Sequence, residues 1–454
     1  MTVECDECRW SLFLMATRQQ AQERLSIRRP GAWRSVLLFL SVVGPGIITA
    51  NADNDVGGIT TYSLSGAQFG YSQLWILIPV TIALLVIQEM CARMGAVTGK
   101  GLADLIRENF GVKLTFWVLL LFILGNVGTI TSEFAGVASA AGVFHTYLPW
   151  LTKFLLVPVV AIFVFTVVTR GNYAAVEKVF FFFCFVYLTY VVSCFIARPD
   201  WHEAMTQFVW PHFTATKAYL LMAIAIIGTT ISPWMQFYIQ AAIVEKGAKA
   251  SELRYVRIDV VTGALFTDFI AFFIMVAAAA TIYVHNVHAG PTGQIVVDDV
   301  NKLAVALAPL AGKWASLLFA IGLLNAGVFT ASILPLSTAY YVCEAFGFES
   351  GVEKKFRDAR FFYSLYAALI VIGAAIVLIP RAPLLDIIFW SQVLNGALLP
   401  LVLVLMLLLI NNKMLMGTYT NNPVSNIVSW ATVVIVSVLT LISTLQLIFP
   451  SLGG

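Results

Sequence analysis

The sequence predicts an all-α membrane protein with eleven transmembrane helices, built as an inverted repeat of spans one to five and six to ten, with helices one and six discontinuous. Three observations carry this reading. Of the 454 residues, 60% are apolar and 11% are charged. Apolar stretches of about 18 residues or more recur along the chain, each long enough to cross a bilayer. Two of those stretches, five spans apart, are interrupted near their middles by polar residues, glycine or proline. This composition excludes a soluble enzyme. The formal charge of +3 is small and the basic residues are dispersed over short loops, so nucleic acid is not expected as a partner. The lipid bilayer is the expected surrounding, and neither a cofactor nor an obligate protein partner is expected.

In chain order, residues 1–34 form a cytoplasmic tail. Its apolar segment Leu12–Ala16 is too short for a signal peptide and follows Glu4, Asp6 and Glu7. Cys5 and Cys8 form a lone Cys-x-x-Cys without the second ligand pair that a zinc knuckle needs. Hydropathy then gives spans at 35–66, 73–95, 113–142, 152–170 and 173–197, the first repeat lying within 35–199. The second repeat, 200–412, holds spans at 217–245, 256–284, 314–345, 359–380 and 383–411, and a last span at 427–449 closes the chain within 413–454. The tail and the loops after spans two, four, six, eight and ten carry 21 of the 27 Lys and Arg. The positive-inside rule therefore places the amino terminus in the cytoplasm and the carboxyl terminus outside, with the plasma membrane as the expected location.

Span one is interrupted by Asn51-Ala52-Asp53-Asn54-Asp55-Val56-Gly57-Gly58. In hydrocarbon every peptide group needs an internal partner, so a helix opens only where its loose backbone lines a cavity. A charged side chain there costs roughly 2.5–3.5 kcal/mol, which points to a cation that offsets it. Span six repeats the irregularity with Gly228-Thr229-Thr230-Ile231-Ser232-Pro233-Trp234, where proline removes a helical hydrogen bond. Paired breaks of opposite entry direction are the mark of an inverted-repeat transporter whose site lies where they meet. A proline kink and a glycine packing face are the plainer structural reading.

Gly44-Pro45 followed by Asp55, Gly57 and Gly58 resembles the first helix of the NRAMP family of divalent-metal transporters. Thr131-Ser132-Glu133-Phe134-Ala135-Gly136, Val176-Glu177-Lys178-Val179 and Gly322-Leu323-Leu324-Asn325-Ala326-Gly327 resemble its third, fifth and eighth helices. The resemblance implies a LeuT-like fold and a divalent metal as cargo. Where the family usually has Asp-Pro-Gly-Asn and Met-Pro-His, this chain reads Asp55-Val56-Gly57-Gly58 and Ser232-Pro233-Trp234. An amide oxygen, a thioether and an imidazole are thus replaced by Gly58, the hydroxyl of Ser232 and the indole of Trp234. Oxygen ligands suit magnesium, calcium and manganese, whereas thioethers suit softer metals, and magnesium keeps several of its waters. The pattern is similar to the NRAMP-related magnesium transporters. Met235, one turn past Ser232, is the one sulfur that could replace the missing ligand, with packing as its alternative role.

On this reading Asp55 is the principal carboxylate, the Thr229 carbonyl and Ser232 are further ligands, and Gln392 reaches the ion directly or through water. Asn54 and Asp53 are second choices; Asp53 alternatively faces an aqueous vestibule or caps the half-helix. Glu133 and Asp268 are candidates for a proton path or for charge behind the site, and Asn395 for interhelical hydrogen bonding. Gln88 and Glu89 are expected to pair at the inner end of span two. The five histidines fall in expected external loops, which leaves no imidazole as a mid-membrane relay. The expected activity is therefore Mg²⁺ (also Mn²⁺) carriage by alternating access without proton coupling. The alternatives are a proton-coupled Mn²⁺/Fe²⁺ symporter and an organic-substrate carrier of the same architecture.

Overall fold

The computed structural model describes residues 54–170, 186–214, 216–287, 297, 313–352 and 354–448, all within the unit Gly44–Gly454. Asp53, the first half of span one, the tail with Cys5 and Cys8, residues 171–185 at the start of span five with Val176–Val179, His288 and the carboxyl end from 449 onward lie outside the described residues.

Helix α1 (Val56–Phe69) is the second half of span one, α2 (Leu77–Thr98) is span two, and α3 (Leu102–Phe110) is a short connecting helix. Spans three and four become α4 (Val112–His145) and α5 (Lys153–Arg170), and α6 (Leu188–Ile196) is the end of span five. After the loop helix α7 (Trp201–Val209), span six divides into α8 (Lys217–Thr230) and α9 (Pro233–Glu245). Span seven is α10 (Leu253–Ala278), continued by a π turn at Ala279–Tyr283. The remaining spans are α11 (Lys313–Phe346), α12 (Arg360–Leu378), α13 (Leu384–Ile410) and α14 (Pro423–Ile448).

Eight of the described helical segments are long and apolar enough to cross a membrane, and Lys153–Thr169 is a shorter apolar helix. The expected count of eleven is therefore not reached among the described residues, because spans one and five are described only in part. Local stops follow ordinary chemistry: α1 ends at Gly70 (φ 60°) and α2 at Gly99 (φ 66°), conformations that a Cβ would strain.

Burial ranks the helices from axis to rim. In the apolar stretch of α8 and α9, 94% of residues are buried, against 22% in α14, so the broken span is axial and the last helix peripheral. Around it, α4 packs on α11, α12 and α13, α8 on α13, and α1 on α10. Small residues allow these approaches. A Cβ at Gly228 would overlap the Gln392 carbonyl and the Gly396 backbone, and one at Gly396 would overlap the Ile224 carbonyl. A Cβ at Gly136 would strike Val56, and one at Gly327 would come within 2.8 Å of the Glu133 carbonyl. The first turn of α1 is thereby wedged against α4 and α11.

The expected Gln88–Glu89 pair does not form. Adjacent helical residues point to different faces, and Glu89 instead accepts from Arg257 Nε at 2.7 Å and pairs with Arg93 at 3.1 Å. The Gln88 amide is buried with no hydrogen-bond partner.

Backbone contact at Gly228 gives a direct test. Gly228→Ala is expected to destabilise by about 1–3 kcal/mol through overpacking and to lower the thermal midpoint in detergent. Gly128→Ala, whose Cβ would meet only Ser391 Cβ at 3.7 Å, is expected to leave the midpoint unchanged or raise it.

Candidate metal site

The site is built where α1 begins and where α8 gives way to α9. Asp55, 1% exposed, precedes α1 in an extended conformation (φ −69°, ψ 177°), and its carboxylate accepts from the Gly58 amide. Its backbone carbonyl takes the first helical bond, from Ile59 N at 3.0 Å. Glu133, fully buried on α4, accepts from the Val56 amide through Oε2 at 3.2 Å. Two carboxyl groups from different helices thus satisfy the exposed amides at the start of α1, where the helix dipole favours negative charge.

On the other side, α8 ends at Ile231 (φ −120°, ψ 59°) and α9 restarts with Ser232 as its cap and Pro233 in its first turn. Proline is suited to that position because its missing N–H would be unpaired there anyway. The Ser232 hydroxyl does not cap α9. It donates back to the carbonyls of Gly228 at 2.8 Å and Thr229 at 3.2 Å. The expected acceptor at Thr229 is therefore already touched by Ser232, with a second lone pair still available.

The Asp55 carboxylate faces the Glu133 carboxyl and the Thr229 hydroxyl, while Glu133 Oε1 and Thr229 Oγ1 themselves have no hydrogen-bond partner. Asn54 is fully buried, and both of its amide atoms are also unpartnered. Buried polar atoms are ordinarily paired, so this concentration of free oxygens at one break is the feature that a cation would satisfy. The carboxyl end of α8, with its partial negative charge, faces the same purpose.

Helix α13 closes the site. A Cβ at Gly57 would collide with the Gln392 side-chain amide, which places that group directly against the first turn of α1. Gln392 Oε1 accepts from Asn395 Nδ2 at 3.2 Å, and the same Asn395 nitrogen donates to Thr129 Oγ1 at 3.1 Å. Asn395 thus makes the interhelical bond expected of it. Gly58 serves through its backbone amide. The Trp234 indole is buried with an unpartnered Nε1, and its carbonyl accepts from Ser337 at 2.9 Å. Met235 is fully buried within the apolar core.

Asp268 lies elsewhere, on α10, in a cleft to which none of these residues contributes. Among the described residues no three His, Cys, Asp or Glu side chains converge, so an ion here relies on carboxylate, carbonyl, hydroxyl and amide oxygens together with water. Sequence reasoning missed Thr129 and the bond between Tyr62 and Thr230 at 2.8 Å, which ties α1 to α8. Thr129 carried a signal, since it lies one helical turn before Glu133 on the same face.

A sequence profile described as "Natural resistance-associated macrophage protein-like" (Nramp) matches residues 46–446. The divalent metal cation transporter MntH of Deinococcus radiodurans is 26% identical over 424 residues, covering 92% of each chain. That of Mycobacterium leprae is 26% identical over 419 residues, covering 88% of this chain and 91% of its own. Among solved structures, the Eremococcus coleocola manganese transporter matches with a TM-score of 0.71 at 21% identity, over 92% of this chain and 89% of its own. MHP1, a nucleobase-cation-symport-1 family transporter, matches with a TM-score of 0.56 at 15% identity, over 90% and 91%. These likenesses show the fold.

The Val56 amide provides a test of the local architecture. Glu133→Ala is expected to leave it unpaired and to cost about 1–3 kcal/mol, read as a lower thermal midpoint, whereas Glu133→Gln keeps an acceptor and is expected to retain most of the stability.

Proposed function

The chain belongs to the Nramp family of membrane transporters, and on that premise we propose that it carries Mg²⁺, and also Mn²⁺, across the plasma membrane by alternating access without obligatory proton coupling. The observation that carries this reading is the oxygen-only donor set at the paired breaks. Asp55 and Asn54 stand on one side, and the Thr229 carbonyl with the Ser232 hydroxyl on the other. Met235 is fully buried in the apolar cluster that also holds Val56, Ile231 and Trp234, and it is assigned a packing role. Hard oxygen ligands suit Mg²⁺ and Mn²⁺, and a site with few charged ligands suits an ion that retains part of its water shell.

In this mechanism the ion loses some waters to Asp55 and the α8 carbonyl end. Gln392 contributes directly or through water, and Asp53 adds charge from the same interruption. The first repeat then reorients against the second around the fixed site. An interior-negative potential contributes roughly 2.3 kcal/mol per charge for each 100 mV and favours uptake of a divalent cation.

A second reading, a proton-coupled manganese carrier, is supported by the manganese transporter among the structural neighbours and by Glu133, which faces Asp55 from α4. Proton release from this carboxyl pair on metal arrival is the step that would couple the two fluxes.

Purified protein in liposomes loaded with a magnesium-sensitive dye separates the readings when internal pH is followed in parallel. Under the first, Mg²⁺ entry proceeds without acidification, falls to background in Asp55→Ala, and shifts toward Mn²⁺ or Cd²⁺ in Ser232→Met. Uptake of micromolar Mn²⁺ that is indifferent to a large excess of Mg²⁺ and accompanied by acidification supports the second and contradicts the first.

A further inference from the structure

A cleft of about 700 Å³ lies between α2, α6, α7 and α10, a volume typical of sites for small organic ligands. Its walls are aromatic. Phe195 stands 5.3 Å from Trp201 and 5.8 Å from Phe273 between ring centres, Phe269 stands 4.8 Å from Phe273, and Phe208 stands 5.1 Å from Phe272. The rim residues Ile82, Phe195, Leu265 and Phe269 are exposed on the lipid-facing side.

Among the described residues that line this cleft, one is charged. Asp268 is 6% exposed, and neither carboxylate oxygen has a hydrogen-bond partner. Thr81 faces it short of hydrogen-bond geometry, with its own hydroxyl donating to the Leu77 carbonyl at 2.6 Å. No Lys, Arg or His is among the described residues that line it. A buried ionised acid without a partner is costly, and an ammonium on an apolar body is a ligand that would relieve that cost.

We propose that this cleft binds a lipophilic amine drawn from the bilayer, its ammonium on Asp268 and its hydrocarbon or aromatic body along the phenylalanine wall. Aromatic faces beside the ammonium add cation–π attraction. Depth decides the form of the ligand. Asp268 falls midway along the apolar stretch Ala250–Val287, which puts it near the middle of a hydrocarbon core about 30 Å thick, roughly 15 Å from either interface. A mid-core position favours a ligand that enters among the acyl chains, a single-chain or aromatic amine, over a diacyl headgroup held at the interface. A hydrated metal ion is disfavoured, because one carboxylate among apolar walls supplies too few oxygens. The site is separate from Asp55, since the two share no lining residue.

The test uses the full chain in nanodiscs with tritiated dodecylamine as probe. Binding is expected to saturate, with dodecanol and dodecanoate competing at least tenfold less well than unlabelled dodecylamine. Asp268→Asn is expected to weaken binding at least tenfold, with a thermal unfolding midpoint establishing that the variant is folded. If Asp268→Asn does not fold, Leu265→Trp takes its place: it fills the cleft from the rim and is expected to weaken binding comparably. Unsaturable partitioning, equal competition by dodecanol, or unchanged affinity in the folded variant overturns the proposal.

Discussion

A helix that begins inside a membrane must find acceptors for its first amides, and this requirement organises the centre of the molecule. Helix α1 starts at Val56 in fully buried surroundings, where water is not available to the backbone. Asp55 takes the Gly58 amide and Glu133 takes that of Val56. Two acids are therefore held at the positive end of a half-helix by backbone geometry alone. The oxygens left over, on Glu133, Asn54 and Thr229, are what a divalent ion could use. On the proposed reading, the carboxylates that hold the start of α1 are also the ones that face the ion.

The opposite break is arranged differently. At the end of α8 the exposed groups are carbonyls, and the Ser232 hydroxyl folds back to cover two of them. A methionine at this position, as the family usually has, would present a thioether and leave those carbonyls without that donor. Substitution at 232 therefore changes the side-chain donor offered at the break and the hydrogen bonding of the local backbone together. The close approach of Gly228 to Gly396 and of Gly57 to Gln392 fixes helix α13 against both breaks, so its polar face belongs to the site although its helix is unbroken.

Much of this was legible in the sequence where a single physical signal dominated. Hydropathy located span three at 113–142, observed as Val112–His145, and span nine at 359–380, observed as Arg360–Leu378. Proline and hydroxyl residues located the span-six break, which falls at Ile231 and Ser232. What escaped depends on three-dimensional pairing. Glu133 could be placed inside the bundle, but its bond to Val56, 77 residues away, has no local signature. Ser232 was legible as a hydroxyl at the span-six break, yet its donation back to Gly228 depends on the turn geometry. Gln88 and Glu89 were expected to pair because both are polar neighbours, whereas Arg257 on another helix claimed Glu89. Asp268 was legible as an acid that needs a cavity, and only the assembled helices supply the aromatic cleft around it.

The central claim is that the two breaks present oxygen to one divalent ion. Anomalous diffraction from crystals grown with Mn²⁺ tests it most directly. The expected result is one intramembrane peak beside the Asp55 carboxylate and the Thr229 carbonyl, coordinated by protein oxygens and water. A peak bound to the Met235 sulfur, or one remote from Asp55, would contradict the account.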